Sequence, residues 1–142
     1  MERQSLLQGH PNPVKDQPLI LAIEDNEDSL VLLTQALELF DCEVVGARDG
    51  QSGFNMALSH DPDLILLDIL LPDMNGQDLA MQLRQLPTIA TTPIVAVTAL
   101  AKADDRQQIL LSGCNDYITK PYILEDLEAI VQKHLVVGQL AV

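Results

Sequence analysis

Short apolar runs alternate with helix-like segments along this chain. The strand-sized segments lie at 19–23, 43–47, 64–67, 94–97 and 115–118, and the first, third and fourth of them are apolar throughout. Apolar residues recur at helical spacing after each run, which predicts helices over 27–40, 52–59, 77–85, 103–112 and 124–135. Asp25 or Asn26 is placed to cap the first helix, and Gly113 to follow the fourth. We therefore predict an α/β fold, a doubly wound five-stranded parallel sheet with five helices.

The central run carries the first hint of chemistry. Residues 64–67 are apolar without alternation, which is typical of a strand covered on both faces. Asp68 ends the run, and residues 72–76 then break the chain into a loop. An ionised side chain at the carboxyl end of a buried parallel strand lies where such sheets bind ligands. Taken alone, Asp68 could equally be the start of a turn.

Three further strand ends carry polar side chains. Glu24 and Asp25 follow the first run, Thr98 follows the fourth, and Lys120 follows the fifth. These ends share one edge of a parallel sheet, so three carboxylates would repel one another unless a cation lay between them. Mg²⁺ suits such oxygen ligands. Taken singly, these residues could be a helix cap, a strand residue and a surface lysine, but together they indicate a site.

One carboxylate beside Mg²⁺, an ammonium group and a hydroxyl can accept a phosphoryl group. The metal ion and Lys120 would neutralise the charge on the equatorial phosphoryl oxygens, and Thr98 would donate a hydrogen bond. Positioning and electrostatics would then supply most of the catalysis.

Charge and composition exclude several classes of protein. The 142 residues are enough for one domain, and 8 Lys plus Arg against 21 Asp plus Glu give a net charge of −13. This balance disfavours direct binding to nucleic acid or to anionic membranes. Cys42 and Cys114 are isolated, and the chain shows neither a secretion signal nor a membrane-sized apolar run. We therefore predict a cytoplasmic protein.

The motifs resemble those of a known family, the receiver domains of two-component response regulators. The resemblance covers residues 19 to 135 in the family's order and spacing, and it rests on Glu24-Asp25-Asn26, Leu67-Asp68, the Pro-Asp-Met-Asn-Gly run at 72–76, Val97-Thr98-Ala99 and Tyr117-Ile-Thr-Lys120-Pro121. It implies the flavodoxin-like strand order 2-1-3-4-5.

The resemblance also implies roles for the metal-binding residues. Asp68 would be the phosphoacceptor and Asp25 a direct Mg²⁺ ligand. Glu24 would act through water, and the backbone carbonyl of Leu70 would complete the protein ligands. Many relatives have Asp in place of Glu24, so the longer side chain makes direct metal contact an open question.

Further roles follow from the same resemblance. Lys120 would contact the phosphoryl group, and its bond to Pro121 would be cis. Thr98 and Tyr117 would be the switch pair. Leu70 and Leu100 would flank the path of the water that hydrolyses the phosphorylated residue, and two apolar side chains there predict slow dephosphorylation.

The expected function is that of a single-domain response regulator. It would accept a phosphoryl group from a histidine kinase or a histidine phosphotransfer protein and catalyse only its own phosphorylation and dephosphorylation. Partner binding would switch on the face of the fourth helix, fifth strand and fifth helix, where an unknown downstream protein or, on activation, a second copy would dock. We expect residues 1–18 to be a flexible leader, 19–135 the receiver domain and 136–142 a tail too short for an output domain.

The same residues also suggest three alternatives. A haloacid-dehalogenase-like phosphatase needs a second Asp two residues after the nucleophile, but residue 70 is Leu. A receiver-shaped docking module indifferent to phosphate would usually lack the acceptor or the lysine, and this chain has both. A receiver cut from a hybrid kinase remains the other alternative.

Overall fold

The computed structural model describes residues 17–99 and 102–139. Most of the predicted leader and Leu100 therefore lie outside the described residues. The strands are β1 (Leu19–Ile23), β2 (Glu43–Ala47), β3 (Leu64–Asp68), β4 (Ile94–Thr98) and β5 (Asp116–Thr119). The helices are α1 (Glu27–Leu39), α2 (Gly50–His60), α3 (Gly76–Arg84), α4 (Ala103–Leu111) and α5 (Leu124–Gln139).

The five strands form one parallel sheet in the order β2-β1-β3-β4-β5, which confirms the predicted fold. β3 lies at the centre between β1 and β4, and all five of its residues are buried. Its register places Asp68 opposite Val97, one residue before the end of β4. The carboxyl ends of β1, β3, β4 and β5 therefore meet at one edge of the sheet.

Alternate residues of the strands face two separate cores. Leu21, Ile65 and Ala96 pack with buried residues of α2, α3 and α4 on one face. Ile20, Leu66 and Val95 pack with buried residues of α1 and α5 on the other. Complete burial of such an aliphatic side chain contributes about 1.5–3 kcal/mol, so both faces hold the sheet rigid behind the site.

Side-chain caps fix where helices begin. The Asn26 side chain accepts a hydrogen bond from the Ser29 amide at 2.8 Å, which identifies it as the cap of α1. Asn75 caps α3 in the same way. Gly113 follows the C-terminal end of α4. Its φ of 116° is the left-handed conformation that glycine adopts without strain after a helix.

Several element boundaries differ from the predicted ones by one or two residues. α3 begins and ends one residue earlier, and β5 begins and ends one residue later. A larger difference lies in α5, which continues to Gln139, four residues into the predicted tail. Extending a formed helix fixes one residue per added hydrogen bond, so the two valines and the glycine after Leu135 do not stop it.

Arg84 ties three segments together at the end of the sheet opposite the strand termini described above. Its guanidinium donates to the backbone carbonyls of Ile89 and Thr92 at 2.9 and 2.6 Å. It also donates to the Gly113 carbonyl at 2.9 Å and to the Asn115 side chain at 2.6 Å. The loops that lead into β4 and β5 are therefore joined to the end of α3.

Replacing Arg84 by Met should lower the free energy of unfolding by about 2–4 kcal/mol, because charged hydrogen bonds to several half-buried carbonyls are lost together. Urea denaturation measures this change. The control is Arg106→Met, which removes an exposed guanidinium that lies over the Tyr117 ring and should cost less than about 1 kcal/mol. Equal losses in the two variants would contradict the role given to Arg84.

Candidate functional site

Three carboxylates meet at the carboxyl edge of the sheet. Glu24 and Asp25 follow β1, and Asp68 is the last residue of β3. Glu24 and Asp68 are only 4 % and 6 % exposed, whereas Asp25 is half-buried. An oxygen atom of each carboxylate lies within 4.8 Å of those of the other two. The grouping predicted from the strand ends is therefore present in the fold.

Lys120 reaches into this cluster from the end of β5. Its Nζ donates to Glu24 Oε1 at 2.8 Å and to Asp68 Oδ2 at 3.3 Å. The second oxygen of Glu24 accepts from the Asn26 amide at 3.1 Å, and Oδ1 of Asp68 accepts from the Leu70 amide at 3.1 Å. Both buried carboxylates are thus oriented by hydrogen bonds on each side.

The electrostatic balance of the cluster still disfavours a charged Asp68. Burial raises the pKa of Asp68, and the Glu24 carboxylate adds to this rise, although the Leu70 amide and Lys120 oppose it. The pKa of Lys120 is raised despite its burial, because Glu24 and Asp68 stabilise the ammonium form. The site therefore favours a bound cation or the loss of negative charge.

The donor set fits a hard divalent cation. Carboxylate oxygens at this mutual distance are the ligands that Mg²⁺ prefers, with water completing an octahedron. Asp25 is the most exposed of the three and can therefore reach an ion at the mouth of the site. This cluster is the one group of acidic, cysteine or histidine ligands that could hold an ion among the described residues.

Of the remaining predicted site residues, the structure describes Thr98, Tyr117 and Leu70. Thr98 ends β4 and is fully buried. Tyr117 lies on β5 half-buried, with the Arg106 Cζ atom of α4 5.4 Å from the centre of its ring. Leu70 is 56 % exposed beside Asp68, while Leu100 lies outside the described residues. The Lys120–Pro121 peptide bond is cis, as predicted.

Arg48 holds the loop that carries Asp25, and it is not among the site residues predicted from the sequence. It follows β2, and its Nε and second terminal nitrogen donate to the Asp25 carbonyl at 3.3 and 3.2 Å. It also approaches the Glu27 carboxylate at 3.8 Å. A polar residue after every strand, β2 included, was the signal that could have identified it.

The chain belongs to the response regulator receiver domain family of two-component systems. The family's sequence profile matches residues 20–132. Similar curated proteins include the transcriptional regulatory protein HprR of Escherichia coli K12, 40 % identical over 116 residues, or 82 % of this chain and 51 % of that protein. This chain thus spans about half the length of that relative.

Two other relatives match over most of their length. The polar-differentiation response regulator DivK of Brucella ovis is 35 % identical over 102 residues, which are 72 % of this chain and 83 % of DivK. The receiver domain of the sensor histidine kinase PA1611 from Pseudomonas aeruginosa PAO1 superposes with a TM-score of 0.79 at 30 % identity, covering 84 % of this chain and 98 % of that domain. That structure has a magnesium ion coordinated in its active site cleft.

None of the helices in residues 17–99 and 102–139 is both long enough and apolar enough to cross a membrane.

Asp68→Asn should become more stable relative to the parent protein as the pH rises from about 4 to 7 without Mg²⁺. The folded-state pKa of Asp68 is raised, so the stability it contributes is present while it is protonated and is lost as the pH rises through that pKa. Chemical denaturation in EDTA across this range measures the difference.

Asp116→Asn is the control with the opposite sign. Burial would raise the pKa of Asp116, but hydrogen bonds from His134 and Lys133 outweigh it and lower the pKa. Asp116 therefore contributes stability that is lost as the pH falls. The Asn variant should become less stable relative to the parent protein as the pH rises. The same pH dependence in both variants would contradict the electrostatic account of the site.

Proposed function

We propose that this chain is a phosphorylation-switched response regulator with Asp68 as its phosphoacceptor. The observation that carries the proposal is the buried Asp68 carboxylate at the end of the central strand, with the Lys120 amine 3.3 Å from one oxygen and two further carboxylates beside it. An Asp68 oxygen attacks phosphorus of a phosphohistidine, the N–P bond breaks and the imidazole leaves. The donor is a histidine kinase or a histidine phosphotransfer protein, and the reaction takes place in the cytoplasm.

Mg²⁺ would be held by Asp25, Asp68 and the backbone carbonyl of Leu70, with Glu24 acting through water. The bound ion supplies positive charge where negative charge gathers on the transferred group. Lys120 would add a second positive charge, because its amine already contacts Asp68. The magnesium ion in the receiver domain of PA1611 supports this assignment, since that domain is 30 % identical to this chain.

Thr98 and Tyr117 would transmit the change to the surface. Thr98 is the last residue of β4, next to the Asp68 strand end, and its hydroxyl would turn towards the phosphoryl oxygens. The Tyr117 ring would then leave its place beside Arg106 and move inwards. Such a shift between two packings requires contacts that exist only when phosphate is bound.

The output surface would be the face of α4, β5 and α5. An open cleft of about 430 Å³ lies there, lined by residues of all three elements that include Arg106, Tyr117 and Ile130. Movement of Tyr117 would change one wall of this cleft. A downstream protein, or a second copy of the chain in an activated homodimer, would dock on this face.

Acetyl phosphate or a phosphohistidine donor should label Asp68 alone, and only with Mg²⁺. Asp68→Asn keeps the size and polarity of the side chain but removes the nucleophilic oxygen, so labelling should fall to background. Mass spectrometry of the intact protein and of its peptides measures this. The matched control is Asp116→Asn, which removes a half-buried carboxylate outside the acidic cluster and should leave labelling intact. Mg²⁺-dependent labelling that persists in Asp68→Asn would overturn the site assignment.

We further propose that the phosphoryl group is lost slowly, because the resemblance to the family implies that the apolar side chains of Leu70 and Leu100 would flank the approach of water. A polar residue that orients this water would contribute about a hundredfold in rate. Asn at position 70 and Glu at position 100 should therefore accelerate decay of the phosphorylated protein, and most of all together. The decay is followed by mass spectrometry after removal of the donor.

The control for this experiment is Leu58→Asn, since Leu58 on α2 is 52 % exposed, close to the 56 % of Leu70. It should leave the decay rate unchanged. A decay rate that is also unchanged in the double variant would show that other features govern access of water to the site.

A further inference from the structure

The loop between β3 and α3 is fastened to the start of α2 by the side chain of Asp73. One carboxylate oxygen accepts a hydrogen bond from the Gly50 amide at 2.8 Å, and the other accepts from the Gln51 amide at 3.0 Å. These are the first two residues of α2. An exposed residue of one loop thus supplies both of its oxygens to a helix 22 residues away in sequence.

α2 already has a cap from its own segment. The side chain of Asp49 accepts from the Ser52 amide at 2.7 Å, which is the usual arrangement at a helix start. The first amides of a helix have no partner within it, and here carboxylates from two different segments take them. The hydrogen bond of Asp49 stays within the segment that forms α2, whereas the hydrogen bonds of Asp73 join α2 to the loop between β3 and α3.

The loop is short and internally braced, so a restraint at Asp73 reaches the acceptor. Leu70 and Asn75 form an antiparallel bridge, and the Gly76 amide donates to the Ile69 carbonyl at 2.8 Å. Gly76 passes so close to β3 that a Cβ atom there would lie 2.6 Å from the Asp68 carbonyl oxygen. Little freedom therefore remains between Asp73 and the backbone that carries Leu70.

Tight packing against α2 adds to this restraint. A Cβ atom at Gly50 would lie 2.5 Å from the Cγ atom of Met74, so the glycine lets the loop approach the helix closely. The hydrogen bonds of Asp73 to the Gly50 and Gln51 amides and the contact of Met74 at Gly50 all act on the first two residues of α2. Loop and helix therefore meet at a fixed point.

We propose that Asp73 is a positioning residue for magnesium binding. It keeps the loop against α2, so that the main chain of Leu70 stays in place beside Asp68. The inference rests on the proposed function, in which the Leu70 carbonyl is a metal ligand. It adds that the geometry of this ligand depends on a side chain that touches neither the ion nor the acceptor.

The test compares Asp73→Ala with Asp49→Ala. Both variants remove a carboxylate from the start of α2, but only Asp73→Ala releases the loop. Mg²⁺ affinity, measured by titrating the amide resonances of residues 68–70, should fall about tenfold in Asp73→Ala, the lower end of the range for residues that orient metal ligands. It should change less than about twofold in Asp49→Ala. Asp73→Asn keeps one acceptor oxygen and should fall between the parent protein and Asp73→Ala.

A second measurement separates this inference from the proposed function. Hydrogen exchange of the Leu70 amide in the metal-free protein should be faster in Asp73→Ala and unchanged in Asp49→Ala. Equal Mg²⁺ affinities in the two alanine variants would overturn the inference and leave Asp73 as a second helix cap. If the parent protein does not bind Mg²⁺, the proposed function fails. If exchange of the Leu70 amide is also unchanged in Asp73→Ala, then Asp73 does not restrain the loop either.

Discussion

The contact between Lys120 and the two buried carboxylates is the interaction on which the site depends. Glu24 and Asp68 are nearly inaccessible to water, and the ammonium group lies 2.8 and 3.3 Å from them. A buried carboxylate without a partner would take up a proton or destabilise the fold. Lys120 prevents this only in part, because the pKa of Asp68 is still raised. Lys120 therefore partly compensates the buried negative charge at this edge of the sheet, but the edge still has a shortage of positive charge.

That shortage links the fold to its function. A parallel sheet covered on both faces brings its strand ends to one edge, and the side chains there come from segments far apart in sequence. In the proposed function, the acidic residues after β1 and β3 would hold a divalent ion, and the lysine after β5 would contact the phosphoryl group. The rigid strands behind them hold these charges in place, so binding requires little rearrangement of the sheet.

Much of this arrangement follows from the sequence, because it depends on simple patterns. Unbroken apolar runs predicted the buried strands β1, β3 and β4, and Asp68 and Lys120 were predicted because each comes at the end of a predicted strand. The exact ends of elements were less predictable, since helices extend or fray by a residue at little cost. Arg48 follows a strand as the other site residues do, but its bonding partner could not be predicted, and neither could that of Asp73. Each binds backbone atoms 22 or 23 residues away, and such contacts leave no periodic signal. The same holds for Arg106 over the Tyr117 ring.

The most direct test of the account is a titration of the ¹⁵N-labelled protein with beryllofluoride, which mimics a phosphoryl group on a carboxylate. With Mg²⁺ present, the amides around Asp68 should shift first in response to binding, and those of 102–112 and 117–131 should shift with them as Tyr117 changes place. Amides at the far end of α2, such as Ser59 and His60, should stay unchanged. Beryllofluoride binding that leaves the α4, β5 and α5 amides unmoved would contradict the switch, and no response at all would mean that the chain is a docking module indifferent to phosphate.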